Sequence, residues 1–175
     1  MHGTGAELGA IAARIGSDVA FFIRGGTAFG SGRGEQLTHA ALRHATRVVL
    51  AMPRTGIGTS HAYGLLTPDD YSDGTLTEEL FGHLGAGQDP LDLVDLMTND
   101  FQAPIERHYP EAALLRLRLE ECGAARAMLS GSGSCVFGLF ADAGVADDCA
   151  RELGATGYWT CSTKMLHFMP SAGRQ

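Results

Sequence analysis

Two apolar runs of strand length, residues 127–129 and 135–140, are joined by five small residues, Ser130-Gly131-Ser132-Gly133-Ser134. No other feature restricts the fold as tightly. A link this short returns the chain antiparallel, because a parallel crossover needs a dozen or more residues. A helix-length pattern over 144–153 and an apolar segment over 158–164 follow. Strand, turn, strand, helix and strand, preceded by helices, predict an α+β fold. The expected architecture is a two-layer sandwich of mostly antiparallel sheet with helices on one face.

The 175 residues leading into and including this unit read as follows. Thr4 and Glu7 form a capping box that opens a helix to about residue 15. Leu8, Ile11, Ala12 and Ile15 make its apolar face, Gly16 ends it and Asp18 sits on the exit. Residues 19–24 (VAFFIR), bounded by glycine, read as a strand paired with 27–29, and 31–34 as a loop. Residues 46–52 form the clearest strand, stopped by Pro53. Thr59 caps a short helix carrying Tyr63. The segment 67–74 is turn-rich and exposed, and helices follow over 77–84, 89–96, 101–108 and 110–122. Asn99 and Asp100 read as a helix cap.

Composition narrows the function. An apolar content of 45% with 19% charged residues is that of a folded domain. The formal net charge of −7 argues against broad nucleic-acid or anionic-membrane binding. No apolar run is long enough for a membrane helix, and the first residues lack the pattern of a secretory signal. Cys122, Cys135, Cys149 and Cys161 include no close pair of the kind zinc sites use. Free thiols in a reducing cytoplasm are expected, with no metal site.

Two stretches can carry chemistry. Asp18 precedes an apolar run, then the glycine clusters Gly25-Gly26 and Gly30-x-Gly32-x-Gly34, then Glu35. A carboxylate beside a buried element serves as a rigid acid or base, and the glycines allow close approach to a ligand. A plain polar turn before a hairpin has the same pattern. The Ser130–Ser134 bend is either an anion-binding nest or a tight hairpin requiring positive φ. It is no Walker loop, since no Gly-Lys-Ser/Thr follows, and the Gly30 cluster opens no helix as a dinucleotide fingerprint must.

The stretches IGSDVAFF and GGTAFGSGRGEQL, together with Asn99-Asp100 and MLSGSGSCVFGLF, resemble the GHMP small-molecule kinases. The likeness is strongest to the branch acting on a methylerythritol derivative of cytidine diphosphate, and runs from about residue 6 to 163. It implies ATP and Mg2+ as nucleotide and metal, and a cytoplasmic enzyme that phosphorylates a methylerythritol hydroxyl. Asp18 matches the catalytic aspartate. Arg33, Thr59 and Tyr63 match substrate-binding positions, with Tyr63 stacking on cytosine. Gly131, Ser132, Gly133 and Ser134 match residues that hold the ATP phosphates. Asp18 and the 131–134 bend are then expected to face one cleft, gripping the acceptor alcohol and the nucleotide. Residues 1–45 correspond to the remainder of an N-terminal kinase domain, 46–170 to the C-terminal domain and 171–175 to a tail.

Two departures bear on this. Ala20 stands where the family has proline. The family's early lysine-bearing strand and glycine-serine phosphate loop do not occur, and Met1 falls just after that loop's place. The expectation is the C-terminal portion of the kinase, through a gene fragment or a misplaced start, with weak or no ATP binding by these 175 residues alone. Another kinase of the superfamily, for mevalonate or homoserine, and an inactive fragment are the alternatives.

Overall fold

The computed structural model describes residues 11–166, apart from 13, 17 and 33. The expected capping box at Thr4 and Glu7 and the tail after 170 lie outside the described residues. The chain divides into two compact units, residues 11–45 with Glu78–Asp89, and Thr46–Thr77 with Pro90–Met165.

The second unit is built on a four-stranded antiparallel sheet. With β1 (Thr27–Ser31) and β2 (Gln36–Ala40) in the first unit, its strands are β3 (Arg47–Met52), β4 (Arg126–Leu129), β5 (Val136–Phe140) and β6 (Trp159–Lys164). Their spatial order is β4-β5-β3-β6. Leu129 pairs with Val136 across the predicted bend, and Val136 pairs with Ala51 of β3. Alternation puts Val49, Ala51, Ala127, Leu129, Val136 and Phe140 into one buried core.

The helices that cover this face are α5 (Pro110–Glu121) over β4 and β5, and α6 (Ala143–Ala155) over β3 and β6. Ahead of them come α1 (Val19–Arg24), α2 (Thr59–Tyr63), α3 (Thr75–Gly85) and α4 (Gln102–His108). Ala112, Leu115 and Leu119 of α5 are buried at helical spacing, as are Ala146, Cys149, Ala150 and Leu153 of α6. Burying each leucine contributes about 1.5–3 kcal/mol. The Asp142 carboxylate accepts from the Val145 N–H at 2.9 Å and opens α6. The Thr160 hydroxyl donates to the Ala150 carbonyl at 2.7 Å, fastening β6 beneath α6. Gly138 lies directly under α5. A β-carbon there would stand 3.3 Å from the Leu119 Cβ and 3.1 Å from the Ala124 Cβ.

Local expectation fails in the first unit. Residues 19–24 form helix α1 rather than a strand, and β1 pairs with β2 instead. β-branched and aromatic side chains favour a strand only when a neighbouring strand receives them, and here β2 occupies that place. The Phe21 N–H donates to the Asp18 carbonyl, and the Gly25 N–H to the Phe21 carbonyl at 2.7 Å, so local bonds win. Gly25, at φ 65°, ends the helix. The ring centroids of Phe29 and Phe81 lie 5.6 Å apart within this unit. Residues 90–96, expected as an α-helix, instead form a 3-10 segment, Pro90–Leu96.

Candidate functional site

The Ser130–Ser134 bend is a closed turn. The Ser130 N–H donates to the Cys135 carbonyl at 2.8 Å and the Gly133 N–H to the Ser130 carbonyl at 3.0 Å. Gly131 and Gly133 have φ of 56° and 86°, a region other residues rarely enter. At Gly133 a β-carbon would also come within 3.1 Å of the Leu129 side chain. The N–H groups of Gly131 and Ser132 have no protein acceptor among the described residues. Consecutive N–H groups left open on a turn with positive φ have the geometry of an anion nest.

The turn is held from outside by the segment leading into α4. The Asn99 amide donates to the carbonyls of Leu129 and Gly131, each at 2.9 Å, while its Oδ1 accepts from the Phe101 N–H at 2.9 Å. Gln102 Oε1 accepts from the Leu129 N–H at 3.3 Å. Arg126 donates to the Met97 carbonyl at 2.9 Å. Edge strand β4 thus meets side-chain partners where another strand would otherwise pair. Asp100 accepts from the Ser72 N–H and hydroxyl, anchoring the turn-rich segment before α3.

Beside the turn, the Ser132 hydroxyl donates to the Thr59 hydroxyl at 3.4 Å. Thr59 is the first residue of α2 rather than its cap, which is Gly58, and stands one turn before Tyr63. The Tyr63 ring stands edge-on to Phe101, centroids 4.9 Å apart, and the residue is 56% exposed. An exposure that large is not that of a core residue. Phe101 follows Asn99 by two residues, so one short segment touches both the bend and the aromatic ring.

Of the residues singled out in the sequence, Thr59, Tyr63, Gly131, Ser132, Gly133 and Ser134 all lie in the second unit, and Thr59 meets Ser132 directly. Asp18 lies in the first unit, exposed at the start of α1, with no capping bond from its carboxylate. Arg33 lies outside the described residues. Asn99 and Gln102 were missed as partners of the bend. Asn99 and Asp100 do not cap α4, whose N-cap is Phe101; Asn99 accepts from the Phe101 N–H just ahead of the helix, and its partners 30 and 32 residues away leave no periodic trace in the sequence.

The cysteines are free among the described residues. Burial pushes the Cys149 thiol up to about 12, with Cys122 beside it adding to the effect, so it stays protonated at neutral pH. Burial also raises the Cys135 thiol just after the bend. No group of three or more His, Cys, Asp or Glu side chains that could hold a metal ion occurs among the described residues. No helix among them is long and apolar enough to cross a membrane.

A family model described as the C-terminal part of GHMP kinases matches residues 79–158. A 4-diphosphocytidyl-2-C-methyl-D-erythritol kinase of Nocardioides sp. is 39% identical over 156 residues, covering 87% of this chain and 52% of that relative. A Bacillus cereus protein of the same name is 34% identical over 133 residues, covering 76% of this chain and 45% of the relative. The chain therefore spans about half the length of these curated relatives. A crystal structure of 4-(cytidine 5'-diphospho)-2C-methyl-D-erythritol kinase superimposes with a TM-score of 0.75 at 29% identity, over 90% of this chain and 56% of that one. A homoserine kinase from Cytophaga hutchinsonii, at 13% identity and a TM-score of 0.64 over 87% of this chain and 52% of that one, shares the fold. With its layered sandwich, its small-residue bend and these likenesses, the chain belongs to the GHMP kinase family.

Proposed function

We propose that this chain supplies the C-terminal part of an ATP-dependent kinase in isoprenoid precursor synthesis. Its acceptor is a hydroxyl on the methylerythritol moiety of 4-diphosphocytidyl-2-C-methyl-D-erythritol. The carrying observation is the contact between Ser132 and Thr59, which joins the bend expected at the phosphates to the helix expected at the acceptor. Residues 1–45 are assigned to the remainder of the N-terminal kinase domain, with Asp18 and the Gly32-Arg33-Gly34-Glu35 loop. Residues 46–170 are assigned to the C-terminal domain, and 171–175 to a tail.

The bend fits an anionic ligand, because its open N–H groups at Gly131 and Ser132 are donors that a phosphate accepts from. In this reading Gly131, Ser132, Gly133 and Ser134 hold the phosphates of ATP. Mg2+, if bound with the nucleotide, would neutralise charge on those phosphates during transfer. Tyr63, more than half exposed yet set in place by Phe101, stacks on the cytosine ring. Thr59 and Arg33 contact the acceptor. Asp18 orients the acceptor hydroxyl and receives its proton late in the transfer. The acceptor oxygen bonds to the γ-phosphorus of ATP as the bond to the bridging oxygen breaks and ADP leaves. An ordinary aspartate is too weak a base near neutral pH for early abstraction, and this reaction needs chiefly positioning and charge stabilisation.

A chimera tests the proposal. This chain replaces the 156 aligned residues of the Nocardioides relative, and ATP consumption is followed with the methylerythritol derivative, homoserine and mevalonate in turn. The proposal expects turnover with the first alone. A folded chimera that uses another acceptor, or none, overturns it.

A further inference from the structure

We propose that Asn99 is a positioning residue that holds the 131–134 bend in its anion-binding shape; this rests on the kinase reading above. The Asn99 amide oxygen accepts from the Phe101 N–H just ahead of α4. Both donors of the same amide go elsewhere, to the carbonyls of Leu129 and Gly131. Those two carbonyls bracket the entry to the bend. Fixing them sets the peptide planes through which the N–H groups of Gly131 and Ser132 present themselves. Across the backbone, Phe101 carries the edge contact to Tyr63 at 4.9 Å. A three-residue segment therefore spans the proposed phosphate and base subsites. The Ser132–Thr59 hydroxyl bond closes the circuit from the other side.

Asn99→Asp separates the two duties. It keeps the acceptor for the Phe101 N–H but sets a carboxylate oxygen against two carbonyl oxygens, so the bend loses its donors while the bond to Phe101 survives. The experiment uses the whole 175-residue chain, isotope-labelled, as wild type and Asn99→Asp. Amide exchange is read at Ser130 and Gly133 against Val49 and Leu139 in the sheet. MgATP and cytidine diphosphate are then titrated separately against the chimera with the Nocardioides relative, with and without Asn99→Asp, while the signals of Gly131, Gly133 and Tyr63 are followed.

Asn99→Asp is expected to speed exchange at Ser130 and Gly133 by about tenfold or more, with the sheet amides unchanged. It weakens the MgATP response by about tenfold and leaves the cytidine diphosphate response at Tyr63 within about twofold. A residue with only a structural role would slow or speed all four amides together and leave the ratio of the two affinities unchanged; that result overturns the inference. If neither nucleotide perturbs the chimera that carries Asn99 unchanged, the binding half of the kinase reading fails. The exchange arm then decides Asn99 by itself, with an unchanged bend counting against it.

Discussion

The bend at 131–134 and the carboxylate at Asp18 are fixed by different means. The bend is tied by side chains distant in sequence, Asn99 and Thr59, and stands on strands that run beneath α5. Asp18 precedes a six-residue helix with no buried residue, closed by local backbone bonds. Tertiary contacts hold a group in place only as long as the core holds. Local bonds persist without a core but fix orientation loosely. The contrast suits the proposed division of labour, in which nucleotide and base need a fixed frame and the acceptor hydroxyl needs a carboxylate that can follow it.

The largest effect expected in the fixed region comes from its core. Leu115 is fully buried in α5. Leu115→Ala should cost about 2–5 kcal/mol in denaturant unfolding. If the contrast is right, the bend amides lose protection with the sheet while α1 is unaffected. Equal loss in α1 would break the comparison.

A smaller effect is expected at the aromatic ring. Tyr63→Ala should weaken cytidine diphosphate binding by about 1–3 kcal/mol, the worth of one base stack, with little change in unfolding. Titration calorimetry on the chimera checks both. Unchanged affinity would remove Tyr63 from the site.

The smallest effect belongs to the segment before α3. The Thr67 N–H and hydroxyl, and then Arg107, hold the Asp70 carboxyl below its ordinary 3.8. Such a group adds stability that is complete above the ordinary value and disappears as pH falls through the lowered one. Asp70→Asn should therefore be slightly less stable than wild type at pH 5, with the difference closing below about pH 4. A difference that persists in acid would place its origin elsewhere.

The layered sheet was readable because each element announced itself locally. Alternation, a glycine or proline stop and helical spacing marked β3, α5 and α6 to within a residue or two. The bend was readable as well, since five small residues between apolar runs admit few conformations. Residues 19–24 misled because their composition favours a strand and nothing nearby in the sequence shows that β2 already occupies the place beside β1. Asn99 read as a helix cap from its neighbours, whereas the cap is Phe101 and the bond from Asn99 to Gly131 has no local signal. Gly138 likewise looks like any strand glycine until α5 is seen to press on it.

The most direct test of the central claim is steady-state kinetics of Asp18→Asn in the chimera, varying ATP and acceptor separately. A carboxylate that only orients and receives a proton should lower kcat by about 10²–10⁴ while both KM values stay within a few-fold. A folded Asp18→Asn chimera that turns over at the parent rate would contradict the account.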